Sequence, residues 1–223
     1  RSTLFPYTTL FRSPSMKKMK AVLAVLITAG ILAGCAGRGG TSTFEPKSSG
    51  IFVTDAGTFS TATVETYDNQ DYYNEEEWKN FLEENVAAYN AEHGEGAVTL
   101  QTCSLKEGTA SMIFDYATGS DLAQFTALYE DTANQVNSID IIPVAQALEE
   151  AGAAGTIFVK TADGKTASTD EIAKKTDYHV VAVDGGPIKL QTEGKIMYTS
   201  DGVKLNSSFI AEISEGKNYI IFK

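Results

Sequence analysis

The sequence is poor in the residues on which most catalytic chemistry depends. His93 and His179 are the only histidines in 223 residues, and neither has a Cys or a second His at metal-ligand spacing, which argues against a zinc site. A Ser-His-Asp arrangement would have to draw its base from this pair, and no G-x-S-x-G turn is present to supply its serine. Phosphate-loop and dinucleotide fingerprints are also missing. The nearest string, Gly152 to Gly155 (GAAG), lacks the lysine and the spacing. Cysteine is limited to Cys35 and Cys103. No catalytic residue, metal ligand or cofactor is expected from these patterns.

Basic residues are scarce and unevenly placed. The chain has 18 Lys and Arg against 29 Asp and Glu. Five of the basic residues (Arg1, Arg12, Lys17, Lys18 and Lys20) fall in the first 34 positions, which contain no acid. The remainder therefore carries 13 basic against 29 acidic residues, a net charge of −16. Such a body repels phosphate backbones and anionic lipid headgroups, so neither nucleic acid nor electrostatic adsorption to membrane is expected. The content of 43% hydrophobic and 10% aromatic residues is ample for a packed core.

The N-terminal region divides into short pieces. Residues 1–13 (RSTLFPYTTLFRS) resemble translated sequencing adapter, and residues 1–15 are set apart from the fold. From Met16, Lys17, Lys18 and Lys20 form a positive segment, followed by an apolar run from Ala21 to Ile31 and then Leu32-Ala33-Gly34-Cys35. The run is shorter than the ~20 residues a membrane-spanning helix needs. The stretch 16–35 resembles the signal and lipobox of bacterial lipoproteins. That resemblance implies a diacylglyceryl group on the Cys35 sulfur, cleavage before Cys35, and palmitate-type acylation of the new amino group in many bacteria. Residues 36–50, rich in Gly, Ser and Thr, read as a flexible tether. With Cys35 acylated, Cys103 is expected to be a free thiol.

The body reads as α+β: an antiparallel sheet with helices on one face, followed by a β-rich C-terminal meander or small sandwich. The expected division is 51–130 and 131–223, or one continuous domain. Two strands flank a turn at Asp55-Ala56-Gly57-Thr58. Asn74 and Glu77 form a capping box opening a helix that ends at Gly94 and carries Trp78, Phe81, Leu82, Val86 and Tyr89 on one face. A second hairpin turns at Lys106-Glu107-Gly108, with Ala110, Met112, Phe114 and Tyr116 pointing inward. Ser120 is expected to cap the next helix, and Glu130–Asn137 to be a polar connection. Pro143 suits the first turn of a helix stopping before Gly152, and Ser168 with Glu171 caps a short helix. From Tyr178 on, short apolar runs separated by Gly and Asp turns read as β-structure. In general organisation, residues 16–223 resemble surface lipoproteins of Clostridia-like bacteria.

Several residue groups offer site-like chemistry. Asp68-Asn69-Gln70-Asp71, continuing to Glu75-Glu76-Glu77, offers calcium-type oxygens, but the EF-hand spacing fails at Tyr72 and Lys79, and the group reads as a solvated loop entering a helix N-terminus. Tyr67, Tyr72, Tyr73, Tyr116 and Tyr129 near these acids could line a saccharide site but read as core rim. Cys103 reads as a small half-buried strand residue rather than a thiol catalyst. Glu83-Glu84 and Glu149-Glu150 read as helix surface. The one site residue expected is Cys35. The protein is expected to be a non-enzymatic binding or assembly module on the outer face of the cytoplasmic membrane, or on the outer membrane of a diderm host, partnered by the membrane and by an envelope protein or glycan. The alternatives are a carboxylate-dependent cell-wall or glycan hydrolase and a transporter's solute-binding subunit, whose usual alternating α/β lobes fit the β-rich C-terminus poorly.

Overall fold

In the computed structural model, which describes residues 43–67 and 74–223, the first apolar run becomes β1 (Gly50–Val53) and turns into β2 (Phe59–Thr66). Threonine holds the turn: Thr58 N–H donates to Thr54 Oγ1 at 3.1 Å. Asn74 caps α1 (Glu75–His93), its Oδ1 accepting from the N–H groups of Glu76 at 2.9 Å and Glu77 at 3.2 Å. Glutamates in the first turn meet the positive end of the helix dipole. The apolar stripe of α1 buries Leu82 and Tyr89, with Trp78, Phe81 and Val86 half-buried beside them. β3 (Val98–Lys106) and β4 (Thr109–Tyr116) form the second hairpin, and the alternation read along β4 buries Ala110, Met112, Phe114 and Tyr116.

Three local expectations are corrected. The cap of α2 (Gly119–Leu128) is Thr118, not Ser120: Thr118 Oγ1 accepts from Asp121 N–H at 3.1 Å and donates to Asp121 Oδ2 at 2.6 Å. A helix starting at Gly119 lies directly on β5 (Val136–Ile142), where a Cβ on residue 119 would come within 1.7 Å of the Ile139 carbonyl oxygen. β5 itself begins inside the stretch read as a connection, because Val136 and Ile139 are buried while the polar residues between them face out. α3 (Val144–Ala154) runs through Gly152 and ends at Gly155. A mid-helix glycine costs about 1 kcal/mol relative to alanine, which the burial of Val144, Ala147 and Ala151 outweighs. Beyond it come β6 (Phe158–Lys160), β7 (Thr166–Ala167) and the short α4 (Thr169–Ile172), capped by Ser168.

The C-terminal strands are β8 (His179–Gly185), β9 (Ile188–Thr192), β10 (Ile196–Ser200), β11 (Lys204–Leu205), β12 (Ile210–Ile213) and β13 (Lys217–Phe222). They are divided between two sheets. One sheet has the order β11-β12-β9-β1-β2-β4-β3 and the other β5-β8-β13-β10-β6-β7. The seven-stranded sheet thus unites the first four strands of the body with three from its C-terminal part, giving an α+β fold. The join is the parallel pair β1–β9, with Ile51 opposite Leu190; the other neighbours are antiparallel.

The period of two along each strand separates the layers. Ile51, Val53, Phe114, Tyr116 and Leu190 point from the seven-stranded sheet toward α1, α2 and the six-stranded sheet, where they meet Leu82, Phe125, Val181, Ile220 and Phe222. The six-stranded sheet is covered on its far face too, where Val180, Tyr198, Tyr219 and Ile221 pack under α3 and α4 against Ala147, Ala151 and Ile172. β13 serves both cores and is buried from Asn218 to Phe222.

Candidate functional site

The residues singled out by their chemistry are mostly absorbed into packing. Cys103 is half-buried on β3 beneath α1 and is a free thiol. Burial, and next the Glu75 carboxylate, push that thiol up to about 11, so it is protonated at neutral pH and a weak nucleophile. His93 is exposed in the last turn of α1 and stacks on Tyr89 with ring centroids 4.0 Å apart. His179 opens β8 against Phe222 at 5.4 Å. Tyr116 and Tyr129 both pack around Phe125. Burial drives the Tyr116 phenol far above its ordinary value while its hydroxyl pairs with that of Thr61 at 2.9 Å. Tyr129 donates to the Asn85 carbonyl at 3.1 Å. Glu83 pairs with Lys79, and Glu150 accepts from Lys217 at 2.6 Å and from the Tyr219 hydroxyl at 3.3 Å, which ties α3 to β13. Asp68 to Asp71, Tyr72, Tyr73 and Cys35 lie outside the described residues. Among the described residues, no group of three or more His, Cys, Asp or Glu is arranged to hold a metal ion.

A polar knot that the sequence reading missed lies on the turn after α2. Asp131 Oδ2 accepts from Thr63 Oγ1 at 2.9 Å and from Asn134 Nδ2 at 2.8 Å. Asn134, fully buried, also donates through Nδ2 to the Ala62 carbonyl and to Thr63 Oγ1, each at 3.0 Å. Burial pushes the Asp131 carboxyl up, and the hydrogen bonds from Asn134, Thr63 and the backbone only partly offset it. Glu65, further along the same face of β2, is pushed up by burial and then by Asp131. An Asp followed three residues later by Asn in a polar stretch was the only signal available, and it is a weak one.

This knot fixes one wall of a polar cleft of about 390 Å³ at the end of the sandwich. Thr132 and Gln135 come from the turn between α2 and β5, and Asn137 from the start of β5. Asp184 comes from the end of β8, Gly186 from the β8–β9 crossover, and Glu215 and Gly216 from the β12–β13 crossover. Gly185 is set so close to β5 that a Cβ would lie 2.9 Å from Asn137 N. Asn218 Nδ2 pins the second crossover by donating to the carbonyls of Ser214 at 3.2 Å and Gly216 at 3.0 Å. Two carboxylates, two amides and a hydroxyl line the opening without a cation. Such a lining suits a ligand bearing hydroxyl or ammonium groups.

A second cleft, of about 250 Å³, lies on the open face of the seven-stranded sheet. Its wall is part of the segment read as a tether. Phe44 stacks on Phe52 with centroids 5.0 Å apart and planes 6° from parallel. Lys189 Nζ donates to Ser48 Oγ at 2.8 Å, Gln191 Nε2 to the Thr43 carbonyl at 3.0 Å, and Val64 N–H to Ser49 Oγ at 3.0 Å. Residues 43–49 are therefore laid against the sheet.

Comparison with known protein families, with curated proteins and with solved structures finds no match to this chain. No helix among the described residues is long and apolar enough to cross a membrane.

Proposed function

We propose that this protein is an exported bacterial lipoprotein, held by acyl chains on Cys35 at the outer face of the cytoplasmic membrane, or at the outer membrane of a diderm host. Its body then acts as a non-enzymatic binding or assembly module for an envelope protein or glycan. The observation that carries the reading is the series of Lys17, Lys18 and Lys20, the apolar run Ala21–Ile31 and Leu32-Ala33-Gly34-Cys35, eight residues ahead of the first residue laid on the sheet. Each position suits the processing chemistry: an apolar subsite for Leu32, small residues where the protease grips the backbone, and a thiol to accept lipid. Two acyl chains at ~0.8 kcal/mol per buried methylene hold a protein firmly. In cells fed labelled fatty acid, the protein should take up label and Cys35→Ser should not, leaving an uncleaved precursor; a labelled, normally processed variant would overturn the reading.

The cleft between Asp184 and Glu215 is the proposed ligand site, since its lining offers acceptors to hydroxyl-rich or ammonium-bearing envelope components. The same two carboxylates at one opening favour a hydrolase as the second reading. Incubation with peptidoglycan and glycan panels separates the two. Retention without released fragments supports a module. Fragments that disappear in Asp184→Asn or Glu215→Gln would make it an enzyme.

A further inference from the structure

We infer that the open face of the seven-stranded sheet is the side this protein turns toward the phospholipid headgroups. The inference rests on the lipid-anchor reading of Cys35 and adds which surface lies against the membrane. The first support is where the chain leaves the body. Residues 43–49 are fixed on the open face, by Phe44 on Phe52 and by Gln191 on the Thr43 carbonyl. Thr43 is eight residue steps from Cys35, and an extended chain spans at most ~3.6 Å per residue. An acylated Cys35 is thus held within about 29 Å of this face, whereas a tether free as far as Gly50 would reach nearly twice as far.

The second support is charge. Alternation along the strands turns Lys106, Lys189 and Lys204 outward on the open face against Asp115 and Glu212, and the docked segment adds Glu45 and Lys47. Among the described residues of these strands and the docked segment, the face carries four cations and three acids. From Cys35 onward the chain has 13 basic and 29 acidic residues, which leaves nine against 26, or −17, for everything else. The outward acids are engaged as well: Asp115 accepts from Ser60 Oγ at 2.6 Å, and Glu212 from Lys204 at 3.3 Å and Asn206 at 2.7 Å. An anionic leaflet repels the acidic remainder over a Debye length of ~8–10 Å, and this near-neutral face escapes that repulsion. Beside the exit point, Phe44, Pro46 and Ile210 wall the cleft next to Lys189, and an apolar wall with a cation at its lip suits the headgroup zone.

The test uses the full acylated chain on vesicles of phosphatidylethanolamine and phosphatidylglycerol that contain a short-range quenching lipid. In a Cys103→Ser background, a fluorophore on Ser111→Cys reports the open face. One on Glu149→Cys reports α3, two layers or about 20 Å further off. Quenching should be several-fold stronger at position 111, and Phe44→Ala, which frees the docked segment, should bring the two positions closer together. Equal quenching, or stronger quenching at 149, on protein that floats with the vesicles would overturn the orientation, leave the anchor standing and point to a protein partner for the face. Protein that does not float would overturn both.

Discussion

Thr61 and Tyr116 meet diagonally across the β2–β4 pair, where Thr61 lies opposite Phe114 and Tyr116 opposite Phe59; their hydroxyls are 2.9 Å apart, and both residues are buried. Neither oxygen has water to fall back on, so each stabilises the fold chiefly by satisfying the other. Tyr116→Phe should cost about 1–3 kcal/mol in denaturant unfolding, since it leaves the threonine hydroxyl unpaired. Thr61→Val combined with Tyr116→Phe should recover much of that loss. A double variant as unstable as the sum of the two singles would show that the hydroxyls act independently.

On α1, Leu82 contributes more to stability than the larger Phe81 beside it. It is 6% exposed, whereas its neighbour Phe81 is half-buried. Leu82→Ala should cost about 2–5 kcal/mol and Phe81→Ala less, while Glu84→Ala on the exposed face should stay within about 0.5 kcal/mol. Thermal melts of the three variants check this ranking.

Glu65 and Asp131 predict an unusual pH response. Both carboxyls are raised in the folded state, by burial first and then, for Glu65, by the charge of Asp131. A raised carboxyl contributes stability that is complete below its unfolded value, near 4, and is lost as pH rises through its folded value. Glu65→Gln removes one such group and relieves Asp131. The stability of the variant relative to the parent should therefore increase as pH is raised from 4 to 7. A difference that stays flat or shrinks over that range would contradict the assignment.

Cys103 should react slowly with thiol reagents at neutral pH, and its rate should climb as pH approaches about 11. Unfolding removes both the burial and the neighbouring Glu75, so the denatured chain should react much faster at the same pH. With Cys103 free, reductant should leave the melting temperature of the body unchanged; a drop would reveal a bridge between molecules.

The α+β class and most of the elements were legible because they depend on local rules. Asn74 announces α1 through its cap, and Ala110 to Tyr116 announce β4 through strict alternation. Where a local rule met a tertiary demand, the tertiary demand prevailed. Gly152 reads as a stop, but α3 continues because its alanines are buried under the six-stranded sheet. Ser120 and Thr118 are both good caps, and the close approach of Gly119 to Ile139 selects the earlier one. The pieces of the candidate site were harder to see. Asp184, Glu215 and Asn137 are ordinary turn residues until two crossovers bring them to one opening. Phe44 is a lone aromatic in a Gly- and Ser-rich stretch until Phe52 faces it.

The parallel pairing of Ile51 with Leu190 imposes an order on folding. A chain that emerges N-terminus first can form the β1–β2 and β3–β4 hairpins early, but its seven-stranded sheet stays open until β9 has followed. Contacts between residues so far apart in sequence are slow to form, so the sheet stays unlocked until most of the chain is free to fold. Closure then waits for the last third of the chain, which brings Leu190 to Ile51.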